Sequence, residues 1–573
     1  MLSWPDVDLK TFSLLLGTRT IHAEGSLVPR VRLTLLEALE KQKGVTRKSL
    51  RERARKWLEE AGHPLTEENL RLAYLICLDL ASVRSFQPAE LQGLIELAQQ
   101  REKFFRLDAE VNQEHPSVDR VLSILEEIIR IPPDRKRVPD AEVEELRVAL
   151  FSRFVSDQLQ FVSIAKKYLS FRSYSEILRR LVAAQASPGR IGGKAAGMLV
   201  AHQVVMRHPE LSDREKYLEI AAPESYHIPT DVCRQFINDN DLQYLFSLKY
   251  LDRQAIAVRY PDVQEDIREG TFPKEVVEGF REFLAGMGEH PLIARSSSLL
   301  EDSYGLSFSG KYDSFFLANQ GSLEQRLTAF ISRVKDIYSS VFSPSALAYR
   351  HDNHLIDFNE GMAILVQKVV GRQWGRYFFP SVSGVGFSRA SISFSPRIDR
   401  RQGMLRMVVG LGTRAVDRVG DDYARMVFLS HPTLRPEVEA ERIARYSQRK
   451  IDLLDLETNR FATISLPELL AGARHPDFPR LLSVREEDSL ASPVGSLADF
   501  PPGKACITLD GLIREPRFCA TLKRVLEALE EAYLRPVDIE FAYDDGRLYL
   551  LQCRTLSLYR GPEQVNLPDQ IPA

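Results

Sequence analysis

The hydrophobic positions divide the chain into two stretches with different periodicity. Over residues 1–185 apolar side chains recur at helical spacing, glycine is scarce and strand-like alternation is weak. One predicted helix has an apolar face made of Val121, Leu122, Leu125, Ile128 and Ile129, and Pro132-Pro133 should end it. A second periodic run extends over residues 143–164. We therefore predict an all-α domain over residues 1–185, with a docking or regulatory role.

The composition and the periodicity of the sequence change near Ser187, where glycines appear and short β-rich runs alternate with helical segments. Residues 432–500 are charged and broken by prolines, without a clear strand pattern, and we interpret them as an insertion or connecting segment. We expect residues 558–573 to form an extended tail. The predicted strands include Leu292–Arg295, Ala363–Gln367, Met404–Val409 and Val537–Phe541.

Composition narrows the class of protein. The 573 residues leave room for three or four domains, and 76 Lys and Arg against 79 Asp and Glu argue against a general nucleic-acid binder. No run of 18 apolar residues and no signal-peptide pattern occur, so we expect a cytoplasmic protein without a membrane segment. The five cysteines are scattered and form no C-x-x-C, which disfavours a disulfide framework or a zinc site.

Three segments carry groups suited to phosphate chemistry. The first is Gly192-Gly193-Lys194, where two glycines would let the backbone approach a ligand and the lysine would supply a positive charge. Its spacing is not that of a Walker A motif, and a glycine-rich helix start is the alternative. The second begins at Arg295, which ends an apolar strand and enters a serine-rich turn. Arginine grips phosphate bidentately and turn N–H groups can add an anion nest, whereas capping serines with a surface salt bridge are the alternative.

The third segment is a predicted β-hairpin, residues 537–554. Its Asp544-Asp545-Gly546 turn fits a three-residue loop. That register pairs Tyr543 with Arg547, Glu540 with Leu550 and Asp538 with Gln552, whereas a two-residue loop would put Glu540 and Gln552 on opposite faces. One face would then be apolar, with Ile539, Phe541, Tyr549 and Leu551, and the other would carry Asp538, Glu540, Gln552 and Arg554. Those polar groups suit Mg²⁺ with phosphate, while an exposed polar sheet face is the alternative.

Taken in order, these segments resemble the ATP-binding region of the pyruvate phosphate dikinase and phosphoenolpyruvate synthase family. The resemblance covers residues 187–557. Its motifs are Gly192–Lys194 (G-G-K), Tyr226–Phe236, Arg295–Asp302 (R-S-S-x-x-x-E-D), Ser307–Gly310, Ile364–Lys368, Ser383–Arg389, Gly410–Gly412 (G-L-G), Asp538–Glu540 (D-I-E) and Gln552–Arg554 (Q-x-R). Each is weak alone, but the ordered set is hard to produce by chance.

The resemblance implies an α+β, ATP-grasp-like fold in two lobes behind the helical domain. The first lobe would be residues 186–360, and the second 361–431 with 501–557. It further implies ATP and Mg²⁺ as cofactors, and it assigns a role to each matching residue: Lys194 and Arg295 contact the ATP phosphates, Glu540 and Gln552 hold Mg²⁺, Arg554 stabilises the transferring phosphates, and the strand around Gln367 lines the adenine pocket. Lys194, Arg295 and Arg554 would be the catalytic residues.

Departures from the family pattern leave the phosphoryl acceptor open. The family's G-L-G-E is Gly410-Leu411-Gly412-Thr413 here, its F-T-R-D-P has Ala390 for the acidic residue, and Thr555 replaces the proline after Q-x-R. None of the 11 histidines lies in a phosphohistidine-type loop, so we expect the acceptor to be a separate protein or a small molecule. The main hypothesis is an ATP-dependent phosphotransferase without its own phosphohistidine and pyruvate-barrel domains. The alternatives are a non-catalytic ATP sensor acting through the helical domain, and an antibiotic- or glucan-phosphorylating relative.

Overall fold

The computed structural model describes residues 27–183, 188–301, 310–358, 360–416, 422–472, 474–486, 489–493 and 504–556. The chain divides into two compact units. The first consists of Met1–Leu150 with Ser170–Ser175, and the second of Phe151–Leu169 with Glu176–Ala573. The predicted domain boundary at residue 185 therefore does not coincide with this division. The predicted tail, residues 558–573, lies outside the described residues.

Helices alone form the described part of the first unit, as the apolar periodicity predicts. Threonine or serine side chains accept a backbone N–H at three of the helix starts, at Thr46, Thr66 and Ser117. The run over residues 143–164 is two helices and not one. In chain order the helices up to residue 179 are α1 Leu27–Lys43, α2 Arg47–Glu60, α3 Glu67–Ser85, α4 Pro88–Val111, α5 Val118–Ile129, α6 Asp140–Phe154, α7 Leu159–Tyr168 and α8 Phe171–Arg179.

The second unit mixes helices with β-sheet. Its further helices are α9 Gly193–Met206, α10 Thr230–Asp239, α11 Arg253–Glu269, α12 Lys274–Met287, α13 Leu323–Ser340, α14 Pro344–Asp352, α15 Thr413–Val416, α16 Ala440–Arg445, α17 Leu466–Gly472, α18 Phe478–Leu481, α19 Asp510–Ile513 and α20 Pro516–Tyr533. Its strands are β1 Glu219–Ala221, β2 Ser225–Ile228, β3 Leu292–Ser298, β4 Ser314–Leu317, β5 Met362–Lys368, β6 Arg372–Trp374, β7 Tyr377–Phe379, β8 Val382–Phe387, β9 Met404–Val408, β10 Arg425–Phe428, β11 Lys450–Asp455, β12 Arg460–Ser465, β13 Leu482–Glu486, β14 Ser489–Ala491, β15 Ala505–Ile507, β16 Val537–Asp544 and β17 Arg547–Thr555.

Two of the sheets carry most of the polar residues that the sequence motifs single out. The first has the order β1-β17-β16-β8-β9-β10, and the second the order β2-β5-β3-β4. We call them the hairpin sheet and the arginine sheet, after the β16–β17 hairpin and after Arg295 on β3. The arginine sheet packs on a large apolar cluster that includes Phe236, Phe280 and Phe330. Because β5 pairs with β3, the predicted lobe boundary at residue 360 separates two strands of one sheet.

The interpretation of residues 432–500 is wrong as regards strands. Strands β11, β12, β13 and β14 lie in this range, and β12-β11-β7-β6 form a four-stranded sheet. The missed signal is the short apolar core of β11, because Ile451, Leu453 and Leu454 are fully buried while Lys450 is exposed. The high charge of the segment concealed it.

The hairpin itself corrects the predicted register. Asp544 pairs with Arg547, so the loop has two residues, Asp545 and Gly546, both with positive φ as a type I′ turn requires. The register then shifts between Glu540 and Phe541. The bulge makes Leu551 an extra residue and restores a direct pair between Glu540 and Gln552. Those two side chains thus share a face as predicted, although by a different route.

The apolar face of the hairpin differs in detail from the prediction. Leu550, and not Leu551, lies opposite Phe541, and both are buried. Tyr549 pairs instead with Ala542. Asp538 pairs with Arg554, and not with Gln552. The polar face of four residues survives these changes because the two-residue loop and the bulged residue together place β17 two residues away from the predicted register, and a shift of two residues keeps each side chain on the same face.

In the part of the chain that the structure describes, no helix is both long enough and apolar enough to cross a membrane. All five cysteines are reduced thiols, and four of them, other than Cys77, are buried.

Candidate functional site

The Gly192-Gly193-Lys194 segment begins α9, and its glycines serve protein packing. A Cβ on Gly192 would lie 1.7 Å from the Ser297 carbonyl oxygen, and one on Gly193 would lie 1.8 Å from the Glu301 carbonyl oxygen. Gly192 also has a φ of +85°, which other residues rarely adopt. The glycines of this motif therefore allow a close approach of α9 to the end of β3 and to the turn after it.

The serines after Arg295 are capping residues. Ser297 Oγ donates to the Ile191 carbonyl oxygen at 2.8 Å and accepts the Ala195 N–H at 3.1 Å. Ser298 Oγ accepts the N–H groups of Leu300 and Glu301 at 3.2 and 3.1 Å. The Ser297 hydroxyl thus fastens the start of α9 to β3, and the Ser298 hydroxyl caps the turn after β3. The predicted anion nest is not formed by the N–H groups that these hydroxyls occupy. Asp302 and residues 307–309 of the predicted motif lie outside the described residues.

Arg295 connects the two sheets. From β3 its Nη2 donates to Glu540 Oε2 at 2.5 Å and to Gln552 Oε1 at 2.6 Å. Both acceptors project from the hairpin sheet, so one guanidinium nitrogen joins residues more than 240 positions apart in the chain. Arg295 Nε is buried and has no hydrogen-bond acceptor among the described residues. One donor of this buried arginine is therefore left for a further acceptor.

Lys194 lies at the edge of the same group and is held by a carboxylate. Its Nζ is 3.2 Å from Glu301 Oε1 and donates to Ser296 Oγ at 3.2 Å. Ser296 Oγ in turn donates to Glu301 Oε1 at 3.0 Å. Glu301 is almost fully buried, which makes it the anchor of the lysine. Its role was not predicted, because only the fold brings the residue after the turn next to α9.

Arg554 completes the polar face of the hairpin. Its Nε donates to both carboxylate oxygens of Asp538, at 2.7 and 2.9 Å. Asp538 is buried, and Arg554 is partly exposed at the cleft. The pair lies directly across β16 and β17, next to the pair of Glu540 and Gln552. The cross-strand register thus aligns a guanidinium, two carboxylates and an amide on one surface.

The charges around Glu540 decide its ionisation. Burial by itself would raise the pKa of this carboxyl, but the charges of Arg295 and Arg554, the hydrogen bond from Arg295 and the charge of Lys194 outweigh it. The pKa of Glu540 is therefore held below its ordinary value, and the group is a carboxylate at neutral pH. A carboxylate in this position presents oxygen to any cation in the cleft.

Gln367 has a structural role on one side of its amide. Its Nε2 donates to Ser225 Oγ at 3.1 Å and contacts Met198 Sδ at 3.0 Å, which ties β5 to β2 and to α9. Gln367 and the residues after it, Lys368–Val370, line the cleft. This strand therefore forms part of the cleft wall, and its contact with an adenine ring stays a prediction.

All six predicted site residues line one cavity of about 730 Å³. A volume of this order accommodates a nucleotide-sized ligand. The wall opposite the hairpin comes from residues that were not predicted, including Phe316, Arg326, Arg333 and Val369. The segment interpreted as an insertion also contributes, through Asn459, Arg460 and Phe461.

Thr413 faces this cleft and is tied to a buried carboxylate. Its Oγ1 donates to Asp452 Oδ2 at 2.5 Å. Asp452 also accepts from Arg414 Nε at 2.9 Å and from Thr463 Oγ1 at 2.7 Å. Strand β11 thereby fixes the loop after Gly412, which no local pattern in the sequence could reveal.

The oxygen donors present fit Mg²⁺ bound together with phosphate. Glu540 Oε2 and Gln552 Oε1 converge on a single point, now held by Arg295 Nη2, and Mg²⁺ is held by few protein oxygens plus substrate phosphates. Within the described ranges no group of three His, Cys, Asp or Glu residues is placed to hold a metal by itself. A cation here would thus need oxygens from a ligand as well.

Comparison with known proteins identifies the family. The family model described as pyruvate phosphate dikinase, AMP/ATP-binding domain, matches residues 189–572. Because this match covers most of the chain, the protein belongs to that AMP/ATP-binding domain family, as the ordered motifs predict.

Individual relatives are distant. A rifampicin phosphotransferase of Bacillus subtilis is 25% identical over 194 residues, which are 33% of this chain and 21% of the relative. A probable phosphoenolpyruvate synthase of Methanocaldococcus jannaschii is 22% identical over 363 residues, 61% of this chain and 25% of the relative. A phosphoenolpyruvate synthase of Aquifex aeolicus is 28% identical over 182 residues, 30% of this chain and 20% of the relative. The chain thus spans a quarter or less of the length of these relatives.

Proposed function

We propose that the protein is an ATP-dependent phosphotransferase whose cleft binds Mg-ATP and donates a phosphoryl group to a separate acceptor. The observation that carries this proposal is the convergence of Arg295 from one sheet with Glu540 and Gln552 from another, at 2.5 and 2.6 Å. Membership of an AMP/ATP-binding family and phosphotransferase relatives support it. We further propose that the two sheets are the lobes of an ATP-grasp-like fold.

In this proposal the residues act by positioning and by charge. Lys194, Arg295 and Arg554 would contact the phosphates, and the unpartnered Nε of Arg295 would add a donor. Glu540 and Gln552 would hold Mg²⁺, which would neutralise the charge that develops on the transferred group. Such preorganised charges need no rearrangement of solvent during transfer. The strand containing Gln367 would line the adenine pocket.

Arg295 requires a change of partner when Mg-ATP binds. Its Nη2 now lies where the two proposed metal ligands converge, and a guanidinium and Mg²⁺ repel each other at that distance. The arginine would therefore move from the Glu540 and Gln552 oxygens to the phosphates.

Two observations favour a second candidate, a non-catalytic ATP sensor. Thr413 stands where the family has a glutamate and is already hydrogen-bonded to Asp452. Ala390 stands where the family has an aspartate and is buried in a small apolar cluster with Met404 and Phe428. Each replacement removes an acidic group from the neighbourhood of the proposed phosphate channel without touching the groups that bind phosphate.

Analysis of the nucleotide product separates these functions. The protein is incubated with labelled ATP and Mg²⁺, with and without candidate acceptors, and the products are resolved chromatographically. AMP with a phosphorylated acceptor supports a dikinase-type reaction, and ADP supports a simple kinase. Saturable ATP binding without turnover supports the sensor. Absence of ATP binding under all these conditions would refute both candidates. Rifampicin, the antibiotic for which one group of relatives is named, is one candidate acceptor to include.

A further inference from the structure

A second, smaller cavity lies at the outer edge of the hairpin sheet. It has a volume of about 270 Å³ and shares no lining residue with the cleft around Arg295. Strand β10 forms one side as the edge strand of the sheet, and the segments around Arg435, Gln448 and Thr508 form the others. The space is many times the ~10–15 Å³ that one ordered water requires.

Arg425 at the start of β10 is the unusual group in this cavity. Its Nη1 donates to the Met426 carbonyl oxygen at 3.0 Å. Its Nε and Nη2 are buried and have no hydrogen-bond acceptor among the residues that the structure describes. Buried donors without an acceptor are rare in native proteins because they lose their hydration without replacement. Two on one guanidinium call for an acceptor that none of the described residues supplies.

The geometry of the guanidinium indicates the shape of that acceptor. Nε and Nη2 lie on the same edge of the planar group, the edge turned away from the arginine stem. Two parallel N–H donors on one edge match two oxygens bound to one atom, as in a carboxylate or a phosphate. Cations, neutral amides and apolar groups do not offer that pair of acceptors.

Neighbouring charges favour an anion, even though the carboxylate of Glu437 also lines the cavity. Arg435 lines the same cavity, and one of its nitrogens pairs with Asp510. Burial, and then the positive charge of Arg435, lower the pKa of Arg425 to about 10, and the carboxylates of Asp510 and Glu437 oppose this only in part. Among the described residues Arg425 has no ion-pair partner within 4.0 Å, so its charge is the one left to neutralise.

The rim of the cavity is aromatic and accessible. Tyr423 and Tyr446 are each partly exposed, and their rings meet edge to face at 5.2 Å between centroids. Both tyrosines line the cavity. A ligand that places its anionic group on Arg425 can therefore rest a small organic part against these rings.

We propose that this cavity is a binding site for a small phosphate-bearing ligand, held by the Nε and Nη2 edge of Arg425 with Arg435 beside it. The site is separate from the ATP cleft and does not depend on the function proposed for that cleft.

Thermal unfolding of the full chain provides the test, with inorganic phosphate as the probe. Phosphate is expected to raise Tm in a saturable manner, sulfate to act similarly, and acetate to bind at least tenfold more weakly. Sodium chloride at matched ionic strength is expected to leave Tm unchanged. Arg425→Met should remove the part of the phosphate effect that arises in this cavity and, because it removes a buried charge that has no counter-ion among the described residues, should raise Tm in phosphate-free buffer. A purely structural role for Arg425 predicts a lower Tm in that variant.

Arg397→Ala serves as the matched control, because Arg397 is an exposed arginine outside the cavity, and it should keep the full phosphate response. Arg425→Lys keeps the charge but not the fork, so at least a tenfold higher Kd for phosphate is expected. An unchanged Tm of the natural chain at any phosphate concentration would show that water satisfies Arg425, and would overturn the proposal. A response of undiminished size in Arg425→Met, or acetate binding as tightly as phosphate, would overturn it too.

A second measurement keeps the test decisive if the variants do not fold. Hydrogen exchange of the natural chain with and without phosphate should show protection in peptides covering residues 423–426 and 435. Protection confined to residues 295–301, in the ATP cleft, would place the phosphate elsewhere and contradict the proposed site.

Discussion

Replacing Glu540 by glutamine removes one negative charge and leaves the side-chain shape unchanged. In the folded protein Arg295 Nη2 lies 2.5 Å from Glu540 Oε2. The glutamine oxygen can still accept this donor, so the buried arginine does not lose its acceptor. What changes is the strength of the bond, from about 1.5–3 kcal/mol for a charged hydrogen bond to about 0.5–1.5 kcal/mol for a neutral one. We expect Glu540→Gln to lower the free energy of unfolding by about 1–2 kcal/mol.

The expected loss of activity is larger than this loss of stability. In the proposed function Glu540 is a ligand of Mg²⁺ and lies against the phosphates, where removal of one preorganised charge-stabilising group typically costs about 10²–10³ in rate. That factor corresponds to ~3–4 kcal/mol in the barrier. ATP turnover, measured by product chromatography over a range of Mg²⁺ concentrations, should fall by this factor, and the Mg²⁺ requirement should rise.

The pH dependence adds an independent readout. The pKa of Glu540 is lowered in the folded state, so its stabilising contribution is present above the unfolded pKa of about 4.3 and is lost as the pH falls through the folded value. The difference in unfolding free energy between the natural chain and Glu540→Gln should therefore shrink below about pH 4. Urea unfolding over a pH series measures it.

Glu530→Gln is the matched control. Glu530 accepts from Arg389 Nη2 at 2.6 Å on the surface, outside the cleft, so the same chemical change should alter stability by less than about 0.5 kcal/mol and leave turnover unchanged. Turnover of Glu540→Gln within threefold of the natural chain would refute the assignment of Glu540 to the metal and phosphates. Equal losses in both variants would do the same.

Three further outcomes are expected. Arg554→Ala should abolish ATP turnover, and turnover at the natural rate would contradict the role of Arg554. Because the substitution leaves the buried Asp538 carboxylate without this cation, it should also lower the free energy of unfolding by up to about 3–5 kcal/mol. A cooperative unfolding transition should remain. Gly192→Ala, whose Cβ would lie 1.7 Å from a carbonyl oxygen at a φ of +85°, should destabilise by more than about 3 kcal/mol in chemical denaturation. Gly286→Ala, with nothing within 4 Å of its Cβ, should instead stabilise by about 0.5–1 kcal/mol. Burial lowers the pKa of His475 to about 4, so the unfolded chain binds a proton that the folded protein does not. Stability should fall by up to about 1.4 kcal/mol per unit as the pH drops from 6.5 to 4, and His475→Gln should flatten that slope in urea titrations.

Local patterns in the sequence were sufficient for several elements. The apolar face of residues 121–129 predicts the helix α5, and Pro132 lies just beyond its end. The strands β3, β5, β9 and β16 are confirmed at their predicted positions, because β3, β5 and β9 contain short apolar runs and β16 alternates apolar with polar residues. Four charged residues of the cleft, Lys194, Arg295, Glu540 and Arg554, were also readable, since the ordered motifs of the family depend on residue type and order alone, whereas Arg326 and Arg333 were not.

Contacts between residues that are distant in the sequence could not be predicted from the sequence. The sequence could not assign Glu301 to Lys194, or show that Gly192 packs against the Ser297 carbonyl, because each contact joins segments about 100 residues apart. Arg425 Nε and Nη2, which have no acceptor among the described residues, are likewise a result of packing. The sequence alone does not show which donors of an arginine find an acceptor.

The β16–β17 hairpin depends both on the local sequence pattern and on the tertiary structure. Its alternating polar residues determine that Asp538 and Glu540 lie on one side of β16, because side chains in a strand alternate with a period of two. Whether Gln552 and Arg554 join them depends on the loop length and on the bulge at Leu551, which together set the register of β17. Turn conformation and bulge depend on how the whole sheet packs, so only the tertiary structure decided that these four side chains form one surface facing Arg295.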